Sequence, residues 1–125
     1  MYLRTLILSA VAALAVSGAA NAAGVAAKGK VLFNAQCSLC HSDAAGQEGQ
    51  GPSLNGVVGR KAAGDPGFPA YTKALKASGQ TWTAAQLDLF LSGPSKLVPG
   101  TAMPITVPNP QDRANVIAYL ASLKH

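Results

Sequence analysis

The amino-acid sequence predicts an all-α domain, a few helices joined by long Gly/Pro-rich loops, and three observations carry that expectation. The stretch "NPQDRANVIAYLASLKH" places Val116, Tyr119, Leu120 and Leu123 on one face at helical spacing. No run of five or more residues alternates apolar with polar, so a substantial sheet is not expected. Between residues 44 and 70, ten glycines and prolines leave no room for regular elements.

The first residues read as a targeting segment. Arg4 gives a positive start, Leu6 to Val16 is apolar apart from Ser9, and Ala20-Asn21-Ala22 fits a small-residue cleavage site. The apolar run is too short to span a bilayer as a stop-transfer helix, and no cysteine sits at the cut to carry a lipid. The expected organisation is a cleaved signal peptide over residues 1–22 and one domain over 23–125, with no stable membrane anchor after cleavage. So small a domain buries limited apolar surface and calls for a staple: its two cysteines allow one disulfide, and a bound prosthetic group is the other route.

Elements follow in order. A first helix is expected from about Val25 to Cys37, with Gly29 inside it. A glycine there costs about 1 kcal/mol relative to alanine, which close packing against another element would justify. A short helix spans about Tyr71 to Ala77 and stops at Ser78-Gly79. In "TWTAAQLDLFL", Thr83 caps, Gln86 completes a capping box and Trp82 packs on Leu87 as a hydrophobic staple. Gly93-Pro94 ends that helix. Asn109 caps the last one, with Pro110 at its first position and Asp112 near its positive end. The 27-residue loop at 44–70 is long for a small domain unless it wraps something other than protein.

The chain carries ten basic and five acidic residues, a net charge of +5. Lys28, Lys30, Lys61, Lys73, Lys76 and Lys96 suit either a weak docking face for an acidic partner or plain solvation. There is no basic run with interleaved aromatics, so nucleic-acid binding is not expected.

Both cysteines lie in "NAQCSLCHSD" beside one of the two histidines. Cys37-x-x-Cys40-His41 is the attachment pattern of c-type haem. Two thiols three residues apart on a helical turn can each add to one porphyrin vinyl, and the adjacent histidine can then reach the iron. Competing readings are a zinc site, which needs four ligands and finds only His125 in addition. A thioredoxin-like dithiol needs strands, and a tight disulfide would stabilise little. For the second axial position, Met103 lies in "LVPGTAMPI", framed by Pro99-Gly100 and Pro104; its rivals are nonspecific packing of that methionine and ligation by His125.

The chain resembles the small soluble monohaem cytochromes c of mitochondria and bacteria. The resemblance covers about Gly24 to Leu123 and rests on "GKVLFNAQCSLCH", "GPSLNGVVGRKA", "AYTKALKASGQTW", "PGTAM" and "RANVIAYL" in that order. It implies the small cytochrome c fold, with N- and C-terminal helices packed crosswise and Gly/Pro-rich loops around one haem c bonded to Cys37 and Cys40. It implies His41 and Met103 as iron ligands, and Pro52 as the residue whose carbonyl accepts the far ring proton of His41. Leu54 becomes haem-wall packing. Arg60, Tyr71 and Trp82 become partners of a haem propionate, and Thr101 a polar contact on the methionine side. Gly29 and Phe33 are expected to pack on Val116, Tyr119 and Leu120. Phe90 stands where mitochondrial members carry a tyrosine, Leu75 replaces an asparagine-like position, and Ser95 and Ala102 stand where some relatives have docking lysines.

The implied activity is one-electron transfer rather than enzymatic chemistry. The implied partners are redox proteins with acidic docking surfaces, such as a membrane oxidase, reductase or dehydrogenase. The protein is expected to act as a monomer in a Gram-negative periplasm; the alternative is a dedicated electron-accepting subunit of one periplasmic dehydrogenase.

Overall fold

The computed structural model describes residues 23–123; the expected signal peptide over 1–22, and Lys124 and His125, lie outside the described residues. α1 (Ala26–Leu32) continues as a π-helical turn, Phe33–Cys37. α2 (Lys73–Ala77), α3 (Ala84–Ser92), α4 (Pro94–Leu97) and α5 (Pro110–Ser122) follow. Among the described residues there is no strand, only an isolated antiparallel bridge between Lys61 and Thr81.

α1 and α5 form the most extensive helix–helix contact of the fold. Glycines make that contact possible. A Cβ on Gly29 would fall inside the carbonyl oxygen of Asn115, and within 2.9 Å of the Tyr119 Cβ. Gly24 is in the same position over the Ala114 carbonyl. Asn115 then spans the junction: its Oδ1 accepts from the Val25 amide at 2.8 Å and from Gln111 Nε2 at 3.0 Å. Phe33 is 2% exposed and meets Tyr119 edge to face, centroids 5.5 Å apart. Gly29 therefore earns its helical cost through close backbone approach.

Three local details depart from the sequence reading. The first helix was expected to run regularly to Cys37, but Ser38 N–H donates to Phe33 O, a five-residue step. The extra residue rotates the cysteine turn by roughly 100° relative to the α1 face that holds Gly29 and Phe33. The capping box of α3 is half made. Thr83 Oγ1 accepts from the Gln86 amide at 3.2 Å, but the Thr83 amide donates to Thr81 O, leaving Gln86 Oε1 buried without a partner. Finally, Pro94 does more than end α3: it sits at the first turn of α4, a four-residue helix that the sequence reading left out.

The other elements follow the chain's signals. Thr72 caps α2, and Asn109 caps α5 by accepting from Gln111 and Asp112 amides. Gly79 takes φ +66° just past α2, as a helix stop should. Trp82 and Leu87 are both buried in the main core, where Trp82 meets the Phe90 ring at 4.8 Å. Residues 44–70 form no helix or strand. Replacing Gly29 with alanine is expected to cost about 1–3 kcal/mol by forcing α1 off α5, measured as a lower denaturant midpoint; an unchanged midpoint would mean the crossing is not tight.

Candidate haem site

The cysteine motif folds as one tight turn. The Cys37 carbonyl accepts from both the Cys40 amide at 3.1 Å and the His41 amide at 2.9 Å, and Ser38 Oγ donates back to Asn34 O. Cys37 and Cys40 are free thiols, both half-buried, and Cys37 packs against the main core. Burial pushes the Cys37 thiol up. The geometry offers two thiols on one turn with the imidazole directly behind them.

His41 Nδ1 lies 2.7 Å from Pro52 O. A carbonyl only accepts, so Nδ1 carries the proton and donates. That leaves Nε2 as the ring's lone-pair nitrogen, and among the described residues no group bonds it. Burial holds His41 below its ordinary range; the Pro52 bond works the other way, and the Arg60 charge adds to the lowering. Gly51 lies flat against the ring: a Cβ there would sit 2.6 Å from Nδ1 and 2.9 Å from Nε2. Only glycine leaves room for this imidazole, a requirement visible in the sequence only as the Gly-Pro of "GPSL".

The segment after His41 is pinned at every step. Ser42 O accepts from the Leu54 amide, Asp43 O from Asn55 Nδ2, and Ala44 O from Ser53 Oγ. Asp43 Oδ2 accepts from the Tyr119 hydroxyl at 2.5 Å, joining this segment to α5 across the chain. Asp43 and Tyr119 are far apart in sequence and share no local spacing, so sequence reasoning had no signal for the bond.

Met103 is half-buried and packs against the same core as Cys37, Leu54, Val58 and Leu75. Its loop leaves α4 through a turn in which the Thr101 amide donates to Val98 O at 3.0 Å. Gly100, at φ +90°, lies against α2, where a Cβ would be 3.1 Å from the Ala74 Cβ. Thr101 Oγ1 accepts from the Met103 amide at 3.4 Å.

Arg60 and Trp82 are brought together by backbone pairing: the Gly59 amide donates to Trp82 O and the Trp82 amide to Arg60 O, each at 2.8 Å. Arg60 spends its Nη groups on Ser53 O and Asn55 O, and its Nε is buried without a partner. Asn55 Oδ1 is likewise buried and unpartnered, and both residues line a cavity of about 260 Å³. Tyr71 accepts from the Asp65 amide at 3.2 Å and meets the Phe68 ring edge to face, with its own hydroxyl proton left to donate. Burial raises the Tyr71 phenol. Leu54 is half-buried against the core.

This geometry can hold a flat group by two thioether bonds from one turn, with a nitrogen lone pair available beside them. A helical domain with that turn defines a c-type haem protein. The chain matches the cytochrome c family model over residues 26–124. It is 49% identical over 113 residues to cytochrome c2 of Rhodomicrobium vannielii, covering 89% of each chain. To cytochrome c2 of Rhodopila globiformis it is 47% identical, over 78% of this chain and 92% of that one. The solved structure of cytochrome cH from Methylobacterium extorquens aligns with TM-score 0.72 at 42% identity, covering 79% of this chain and 99% of that one.

The chain therefore belongs to the cytochrome c family: it is a class I monohaem cytochrome, an electron carrier with one covalently attached haem c. The residues fit that group. The free thiols of Cys37 and Cys40 are the only two in the chain, and the unpartnered Arg60 Nε offers a buried donor suited to a carboxylate.

The Tyr119 phenol is pushed up to about 12, first by burial and then by its bond to Asp43. The fold thus favours the neutral phenol. Its contribution to stability is whole below the ordinary value of 10.0 and is lost as pH rises towards about 12. Denaturant midpoints measured across that window should fall with pH in the parent chain and fall less in Tyr119→Phe; parallel curves would contradict the assignment.

Proposed function

We propose that the mature chain, after removal of residues 1–22, carries single electrons in a Gram-negative periplasm, with His41 and Met103 as the axial ligands of its haem. The haem, when bound, supplies a reversible Fe(III)/Fe(II) couple. His41 contributes a fixed imidazole: its Nδ1–H bond to Pro52 O holds the ring orientation and raises the donor strength of Nε2. That bond is the observation that carries the reading. Met103 contributes a thioether from a proline-framed loop, and a thioether together with an apolar wall of Leu54, Val58 and Leu75 favours the less charged Fe(II). Arg60 Nε, Tyr71 and Trp82 are assigned to the propionates, whose buried charge needs donors.

With His41 and Met103 both holding the iron, no position on it would be left for a substrate, so the assigned role is carrier rather than enzyme. Six exposed lysines, Lys28, Lys30, Lys61, Lys73, Lys76 and Lys96, form no ion pair among the described residues. They suit brief encounters of a monomeric carrier with acidic faces of a membrane oxidase, reductase or dehydrogenase.

The test uses mature protein from cells competent in cytochrome maturation. The parent protein should be reversibly reduced by one electron and should not bind carbon monoxide. Met103→Ala should lower the midpoint potential by at least about 60 mV, a tenfold change for one electron, and should bind carbon monoxide. A variant with the parent potential and no carbon monoxide binding would remove Met103 from the site.

A further inference from the structure

We infer that Arg113 is a positioning residue for the methionine side of the haem site, acting as a clasp on the downstream end of the Met103 loop; this rests on the His41/Met103 reading. Arg113 closes the first turn of α5, with its side chain 12% exposed. Nε donates to Asp88 Oδ1 of α3 at 2.7 Å. Nη1 donates to Val107 O and to Pro108 O, each at 3.0 Å. One guanidinium thereby ties α3, α5 and the loop exit into a single junction.

The loop has little else to hold it there. The Val107 amide donates to Leu91 O at 2.7 Å, so the two backbone groups of this buried residue are held by α3 and by Arg113. Upstream, the Thr101–Val98 turn provides the other anchor. Among the described residues, no backbone hydrogen bond is made by Ala102 or by residues 104–106 in between, and Ile105 is 43% exposed. Met103 thus sits in a short span suspended between two anchors, and Arg113 supplies one of them. Asp88 holds the guanidinium in the orientation that lets it serve both carbonyls.

A thioether is a weak iron ligand, so the position of its loop decides how well it resists displacement. Removing Arg113 leaves the Val107 and Pro108 carbonyls without their charged donor and leaves the exit of the span held by the Val107 amide and its buried side chain. The ligand end of the loop then opens more readily, while His41 and the cysteine turn, on other elements, are untouched.

The test titrates the ferric holoprotein with imidazole, which competes with the methionine for iron. Arg113→Gln should bind imidazole about tenfold more tightly than the parent, the scale of one lost charge-assisted hydrogen bond. Arg113→Lys, which keeps the charge without the planar fork, should fall between. Asp88→Asn should shift affinity in the same direction by less. A purely structural brace would lower the denaturant midpoint and leave imidazole affinity at the parent value; that result in both Arg113→Gln and Asp88→Asn overturns the inference. If Arg113→Gln does not fold, Asp88→Asn decides alone, since its side chain is 45% exposed and replaceable. A strongly upfield-shifted methionine methyl resonance in the reduced parent protein separates the two readings. Present with unchanged variants, it overturns the clasp alone; absent, it overturns the ligand assignment and the clasp together.

Discussion

The crossing of α1 over α5 is the constraint on which the rest of the structure depends. It requires that Gly24 and Gly29 have no side chain, because the carbonyls of Ala114 and Asn115 occupy that space. Once the backbones meet, Phe33 is trapped against Tyr119, and the π-helical turn that follows sets where the cysteines face. The same α5 reaches the segment beyond the cysteine turn through Tyr119 and the methionine loop through Arg113. One helix thus braces both segments, the first with one hydrogen bond from Tyr119 and the second with two from Arg113.

The long tract from 44 to 70 is ordered without secondary structure, and its backbone accounting explains how. Carbonyls of residues 42–44 are taken by Leu54, Asn55 and Ser53, while those of Ser53 and Asn55 are taken by Arg60. Side chains replace the ladder that a helix or sheet would provide. The groups left over, Arg60 Nε and Asn55 Oδ1, lie beside the region assigned to the propionates. The partners that these two groups lack are ones a carboxylate or water can supply.

Much of this was legible in the sequence, and the reasons are local. Asn109-Pro110, Thr83 and Ser78-Gly79 carry cap and stop chemistry within a few residues, so those helix limits were readable. Gly29 in a helix announced a close neighbour by its cost. The family resemblance named the Pro52 carbonyl as a neighbour of His41, and the two are bonded in the fold. What could not be read required knowledge of distant neighbours. Asp43 with Tyr119, and Asp88 with Arg113, are pairs made only by tertiary packing. The π-helical turn at Phe33–Cys37 contains no residue whose local preference announces it. Gly51 looked like one loop glycine among many, and only the ring beside it shows what it is for.

A carrier must hold its metal in nearly the same surroundings in both oxidation states. Here the imidazole is fixed by Pro52 and Gly51, and the methionine loop is fixed at its two ends, so the two segments proposed to supply the ligands are each positioned by protein contacts. X-ray absorption at the iron edge of the mature ferric protein asks most directly whether a side chain from each segment reaches the metal. One sulfur neighbour beside nitrogen ligands, lost when Met103 is replaced by alanine, is the expected result. A coordination sphere without sulfur would contradict it.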